Sequence, residues 1–337
     1  MLQKSEYAAL RCAGPFADWM KEYIEQNRAL GNKYNVDAVY LMQFDAYCVQ
    51  KNATAPALTQ ELLEGWFEKR PYEADASHHT RMRVLRKFAK FLRDNDVEAP
   101  AAFHPLPHLA PSFTPYIFTR EEIARLLAAV DNVRCNGHSP LVGLTLPLLF
   151  RALYCCGLRV SEACQLRNED VDLERGTLML LNAKGGKDRL VPMSDSLRQL
   201  CVEYSAAPAL RAFGSAYFFP SVDGGRYASS TIYTRFREFL WKAGIPHGGR
   251  GSGPRLHDLR HSFAVHTLDD WARAGKDLYV CLPVLSIYLG HKDLLSTQKY
   301  LRLTPQAYPA LLGDFNEHFG GVFPEVHNVP GGAYEEI

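Results

Sequence analysis

Apolar positions recur at three- and four-residue intervals from Pro15 to about Asp96, which predicts helices near 15–30, 34–51, 59–69 and 77–95 separated by Gly31, Pro56 and Pro71. Four short helices of this kind close into a small bundle. From Glu98 to Thr119 the periodicity fades and Pro100, Pro105, Pro107, Pro111 and Pro115 take over, as in an extended, semi-rigid linker. The helical pattern resumes at Thr119, an N-cap residue whose partner three positions on, Glu122, completes a capping box ahead of the apolar run that follows. Residues 176–183 and 190–193 alternate or run apolar around the turn KGGKDR and predict a β-hairpin. Helical spacing returns over 194–204 and 229–243, and GGRGSG then forms a flexible approach to residue 257. The run 280–289 reads as a buried helix stopped by Gly290, whose tolerance of positive φ suits a helix C-terminus and sets His291 at a corner. A further helix starts near Asp293 and carries Ser296, Thr297 and Tyr300 before Pro305 interrupts it. Beyond that proline, Tyr308, Leu311, Leu312, Phe315 and Phe319 recur at helical spacing, and the last residues are rich in Gly, Pro and Glu.

This pattern divides the chain into an N-terminal helical domain over 1–98, a proline-rich linker over 99–118, a second domain over 119–320 and a loose tail over 321–337. The fold class is mainly α with a small β-hairpin or sheet, that is, α+β. A chain of 337 residues has room for two cores.

Composition adds mostly exclusions. Hydrophobic residues at 47% and charged residues at 22% describe an ordinary globular protein and leave no room for extensive disorder. No apolar run approaches the roughly 20 residues of a membrane span, and the first residues, MLQKSEYAALRCAG, lack the apolar centre of a signal peptide, so a cytoplasmic location is expected. The eight cysteines are scattered without a C-x-x-C pair, which favours reduced thiols over a zinc or disulfide site. A net charge of +1 gives no overall signal for nucleic acid, so any such binding has to rest on local clusters. One cluster stands out on the fourth helix: Arg81, Arg83, Arg86, Lys87, Lys90 and Arg93 fall together without an acid, beside the apolar stripe Val84, Leu85, Phe88, Phe91 and Leu92. Solvated helix faces usually mix both signs, so this face is a candidate for phosphate contact.

The second domain holds the residues with chemistry. Arg159 follows Gly157 at the end of an apolar helix, and Glu162 three residues later can satisfy it. Lys184 and Lys187 flank the glycine pair of the hairpin turn, where a lysine is either an idle loop residue or a donor of protons and positive charge. Arg260 lies three residues after His257, a spacing that puts both on one helical face within reach of one small anion. His257 and His291 titrate near pH 6.5 when unperturbed and can serve as acid, base or donor, whereas His261, next to Arg260, reads as structural. Tyr300 carries a hydroxyl that needs a base or converging positive charge before it can act as a nucleophile. Its rivals are Tyr288, within the apolar run, and Tyr308, beyond Pro305.

In chain order, Arg159, Lys184, His257-x-x-Arg260, His291 and Tyr300 resemble the signature of the tyrosine recombinase, or phage integrase, family. That signature runs Arg, Lys, His-x-x-Arg, His or Trp, then Tyr. All six positions hold an expected residue type, and the likeness extends over most of the chain from Phe118 onward. The resemblance implies an N-terminal four-helix, SAM-like core-binding domain that clamps DNA against a C-terminal catalytic domain. Arg159, Lys184, His257, Arg260 and His291 would surround the nucleophile Tyr300, with Glu162 in support and Arg81, Arg83, Arg86, Lys87, Lys90 and Lys187 on DNA. It further implies strand cleavage through a 3′-phosphotyrosine with a free 5′-OH, no metal or other cofactor, and double-stranded DNA bearing a specific site as the partner. Integration or transposition of a mobile element would follow, with resolution and inversion as open alternatives, in the cytoplasm at the nucleoid. The expected assembly is a tetramer on DNA through exchange of the C-terminal helix, and a monomer or weak oligomer when free; the tail stripe could instead pack on its own domain. Two rivals stand beside this reading: relaxation of the type IB topoisomerase kind, and a DNA-binding or architectural protein with a vestigial site. The segment 269–276, DDWARAGK, is longer than the family usually has there, as a partner contact or a loop extension.

Overall fold

The computed structural model describes residues 12–103, 105–106, 114–135, 137, 139–181, 188–249 and 253–302. The chain forms two compact units, 1–113 and 114–337. Lys184 and Lys187, the centre of the hairpin turn, part of GGRGSG and the tail beyond Arg302 lie outside the described residues.

The first unit contains helices α1 (Ala17–Ala29), α2 (Asn35–Gln50), α3 (Gln60–Phe67) and α4 (Asp75–Asp94), close to the spans the periodicity predicts. Their apolar stripes meet in one core that includes Phe16, Met20, Phe44, Trp66 and Phe88. The start of the segment read as linker also packs here, since Ala99, Phe103 and Leu106 lie against that core. Arg86 and Arg93 both stack over the Phe103 ring, with guanidinium carbons 5.5 and 5.9 Å from its centroid.

The second unit opens with α5 (Arg120–Asp131), capped by the reciprocal Thr119 and Glu122 bonds that the sequence predicts. Helix α6 (Val142–Cys155) follows and is buried on most sides. Gly157 then adopts φ +57, and a Cβ there would press on Phe263 and Leu289, so only glycine makes this turn without strain. The turn delivers Arg159 to the N-cap of α7 (Val160–Gln165). A three-stranded antiparallel sheet follows in the order β1 (Val171–Asp172), β2 (Thr177–Leu180), β3 (Arg189–Pro192). The predicted hairpin is its β2–β3 pair, in which Leu178 faces Val191 and Leu180 faces Arg189. Helices α8 (Asp195–Ala206), α9 (Pro208–Phe213) and α10 (Ser229–Lys242) complete the main core around Phe118, Phe150, Phe236 and Phe239.

Helices α11 (Asp258–Arg273), α12 (Leu278–Leu289) and α13 (Leu295–Arg302) share a smaller core of Ala264, Val265, Leu268, Leu282, Leu285, Leu289 and the ring of Tyr300. The expectation that 280–289 is a buried helix needs correction. The run is apolar all round, but only one face meets its neighbours, leaving Val280, Val284 and Ile287 exposed. Gly290 ends α12 at φ +65, and the His291 N–H donates to the Ser286 carbonyl, a Schellman closure that aims the chain into α13. Most of the DDWARAGK segment is the last turn of α11, where Asp269 and Asp270 pair with Arg120. Among the described residues no helix is long and apolar enough to cross a membrane.

Candidate active site

The site forms where the α6–α7 turn, strand β3, the start of α11 and the α12–α13 corner converge. Its centre is the Glu162 carboxylate, of whose side chain only 6% is exposed. Arg159 reaches it twice, with the main-chain N–H on Oε2 at 2.8 Å and Nη1 on Oε1 at 2.6 Å. Arg189 takes the other side as a fork, with Nη1 on Oε1 and Nη2 on Oε2, both at 2.9 Å. Burial works to raise the carboxyl pKa, but the hydrogen bonds and charges of Arg189 and Arg159 outweigh it and hold the group at about 2. The same arginines extend to the α12 terminus. Arg189 Nε donates to the Tyr288 carbonyl at 3.0 Å, and Arg159 Nη2 donates to the Gly290 carbonyl at 3.2 Å.

Sequence reasoning passed over Arg189 as the end of a charged turn. Strand alternation holds the missing signal: Arg189 lies two residues before the fully buried Val191, on the inward side of β3. A guanidinium on that side requires a carboxylate partner.

Arg260, on the first turn of α11, is 1% exposed. Its Nη1 donates to the Gly157 carbonyl at 2.7 Å and its Nη2 to the Leu289 carbonyl. Among the described residues no carboxylate forms an ion pair with it. Burial, aided by the nearby Arg159 charge, lowers its pKa to about 10. A buried cation matched only by carbonyl oxygens is costly, and an added anion would relieve it.

Tyr300 lies against this cation at 3% exposure. The Arg260 charge acts on its oxygen, and His261 Nδ1 is 3.1 Å from that oxygen. Burial raises the phenol pKa against the opposing pull of Arg260 and Arg159. The His291 ring stacks beside Tyr300 with centroids 5.9 Å apart, oriented by a 2.8 Å hydrogen bond between its Nδ1 and Thr297 Oγ1. His257 packs edge-on to His261 at 4.8 Å. Burial first, and the arginine charges second, lower His257 and His291 to about 4. Both imidazoles are therefore neutral near pH 7.

The structure thus brings together Arg159, Glu162, His257, Arg260, His291 and Tyr300. Lys184 and Lys187 lie outside the described residues. The competing Tyr288 donates its hydroxyl to the Pro192 carbonyl and stacks on Phe263, a structural arrangement.

The basic face of α4 requires correction. Arg81 is 1% exposed, paired with Glu73 at 2.7 Å and bonded to the Glu68 carbonyl, because the loop between α3 and α4 needs an internal cation. It is not available to phosphate. Arg86 is half-buried against Phe103. Arg83 stays partly exposed 3.6 Å from Asp37, and Lys87 and Lys90 are exposed. Among the described residues no group of three His, Cys, Asp or Glu is placed to hold a metal ion.

The sequence model of the phage integrase family matches residues 116–307. The integrase/recombinase-like protein y4rB of Sinorhizobium fredii is 35% identical over 307 residues, covering 86% of this chain and 94% of its own length. Tyrosine recombinase XerD of Proteus mirabilis is 30% identical over 236 residues, 68% of this chain and 69% of its own. Among solved structures, the XerH site-specific recombinase bound to palindromic difH substrate superposes with a TM-score of 0.61 at 18% identity, over 88% of this chain and 84% of that one. The Tn1549 transposon integrase in complex with transposon right end DNA gives a TM-score of 0.56 at 16% identity, over 90% and 99%. At these identities the two structures establish a shared fold.

The Glu162 environment sets a pH dependence. Its pKa is depressed from 4.5 to about 2 on folding, so its stabilising contribution is present above pH 4.5 and is lost as pH falls through about 2. Glu162→Gln is expected to destabilise the protein by about 3 kcal/mol at pH 7, as when one partner of a buried ion pair is removed. That deficit should shrink as pH drops from 4.5 towards 2, which urea unfolding of both proteins across this range would measure.

Proposed function

The chain belongs to the phage integrase family, and on that premise we propose that it is a site-specific DNA recombinase, of the integrase or transposase type, with Tyr300 as nucleophile. The observation that carries this reading is the buried Arg260, a cation without a carboxylate partner among the described residues, whose charge acts on the hydroxyl of the buried Tyr300 that the corner after α12 presents. A DNA phosphodiester supplies the missing anion. Arg159 and Arg260 offer guanidinium donors to its non-bridging oxygens and stabilise the charge that grows in the pentacoordinate transition state. Neutral His257 and His291 can donate further hydrogen bonds without adding charge. Tyr300 Oη passes its proton to neutral His257 or His291 and forms the new bond to phosphorus while the bond to the 5′ oxygen breaks, and Lys184 gives that oxygen a proton. The 5′-OH of a partner strand then attacks the 3′-phosphotyrosine and releases Tyr300. Bond energy is conserved in the phosphotyrosine link, so no nucleotide is consumed.

The relatives named as integrases and recombinases, and the solved complexes on DNA, support double-stranded DNA as the partner and assembly of more than one protomer upon it. A tetramer on a Holliday junction is described for lambda integrase, which shares the fold. In this chain the stripe Tyr308, Leu311, Leu312, Phe315 and Phe319 would dock on a neighbouring protomer. Exposed Lys87 and Lys90, with Arg83 and Lys187, would contact phosphates along the duplex. Such an enzyme works in the cytoplasm, in association with the nucleoid. A nonspecific relaxation activity of the type IB kind would show as relaxation of a plasmid that carries no recombination site.

Two outcomes test the assignment. Tyr300→Phe is expected to abolish the covalent adduct on nicked DNA while DNA binding stays within a few fold, read by denaturing gel and gel shift; loss of the adduct in Tyr308→Phe instead would contradict it. Lys184→Ala is expected to regain cleavage on a substrate whose bridging 5′ oxygen is sulfur, because a thiolate leaves without a proton, and Lys187→Ala is not. Equal rescue of both lysine variants, or rescue of neither, would remove Lys184 from that role.

A further inference from the structure

His261 sits beside the reaction centre with no part in the scheme above, and its sequence position beside Arg260 suggests only a structural role. The structure shows a more specific arrangement. Its Nδ1 lies 3.1 Å from Tyr300 Oη, and its Nε2 faces Asp258 Oδ1 at 4.0 Å across the first turn of α11. Asp258 is fully buried, and it is held by the Arg255 N–H at 2.7 Å and the Arg255 guanidinium at 3.3 Å. The ring therefore has one nitrogen toward a fixed carboxylate and the other toward the phenol.

The protons can be assigned from this geometry. Arg260 has only N–H donors and its charge acts on Tyr300, so the oxygen favours turning a lone pair, not its hydrogen, toward that cation. The phenol proton then points away from the cation, and His261 Nδ1 lies within reach as an acceptor. The tautomer that accepts at Nδ1 carries its hydrogen on Nε2, directed at the Asp258 carboxylate, which favours it electrostatically. Burial and the charges of His257, Arg255 and Arg260 keep His261 neutral, with its pKa lowered to about 3.

We propose that His261 is a positioning residue for strand cleavage: held in one tautomer by Asp258, it accepts the Tyr300 hydrogen bond and turns the remaining lone pairs of Oη toward the pocket of Arg159 and Arg260. Without it, the phenol can rotate about its C–O bond and its proton can point into the space the phosphorus must enter. This rests on Tyr300 being the nucleophile, and it adds a residue beyond the signature positions. A misdirected attacking atom is costly, since displacements of about 1 Å can slow a reaction by about 10²-fold.

The test uses the full chain with His261→Ala, which removes the acceptor, and His261→Asn, whose side-chain oxygen can stand where Nδ1 stood. Single-turnover cleavage is followed on a nicked duplex carrying the half-site that the wild-type chain selects from randomised DNA, with binding and melting temperature measured in parallel. In His261→Ala, cleavage is expected to fall by roughly 30-fold or more with binding within a few fold, and His261→Asn to recover most of the rate. A wild-type rate in His261→Ala overturns the proposal. So does an asparagine variant as slow as the alanine one, which would mean the imidazole itself is needed as a base or as packing. A second readout needs no DNA: with 3-fluorotyrosine placed at position 300 alone, the fluorine resonance of the free protein should move in His261→Ala and return close to its wild-type position in His261→Asn. An unmoved resonance excludes the hydrogen bond. If the wild-type chain forms no adduct on any DNA, the recombinase reading fails, while the fluorine experiment still decides the contact.

Discussion

The Glu162 carboxylate is the joint on which the site depends. It is the shared acceptor of Arg159 and Arg189, and each arginine also reaches a carbonyl at the end of α12. One buried anion thereby links the α6–α7 turn, the strand leaving the hairpin of Lys184, and the corner that presents His291 and Tyr300. With Nη1 on Glu162 and Nη2 on the Gly290 carbonyl, the guanidinium of Arg159 is held in orientation as well as distance before any substrate arrives. Preorganisation of this kind lets fixed charge act on a transition state without reorganisation at the moment of reaction.

Arg260 complements this joint. Its carbonyl partners are supplied by Gly157 and Leu289, one residue from the positive-φ glycine 290 and at the positive-φ glycine 157 itself. The two chain reversals thus expose main-chain oxygens that hold the cation, while its charge stays unmatched by a carboxylate among the described residues. The histidines around it are driven to the neutral form by burial and by the arginines. The result is a compact positive site with its hydrogen-bonding groups in place and its anion supplied from outside.

Much of this was legible in the sequence because it depends on local rules. The capping box at Thr119, the glycine stop at residue 290 and the His257-x-x-Arg260 spacing each act over a few residues, and each appears in the structure. Arg189 and His261 escaped because their roles depend on partners far away in the chain: Glu162 lies 27 positions from the first, and Tyr300 lies 39 from the second. Arg81 was misread for a related reason. An arginine in a basic run looks solvent-facing, and only the folded loop shows Glu73 closing over it. The apolar face of α12 marks the opposite limit, since a run that is apolar all round does not say which side is covered.

A double-mutant cycle between Glu162 and Arg189 tests the joint most directly. Glu162→Gln, Arg189→Met and the double variant would be compared by urea unfolding at pH 7. If the carboxylate ties these segments together, the two losses will be strongly non-additive, with a coupling of about 2 kcal/mol or more and the double variant little worse than either single one. Losses that simply add would show that the two residues act independently, and would contradict the view that one buried carboxylate organises the site.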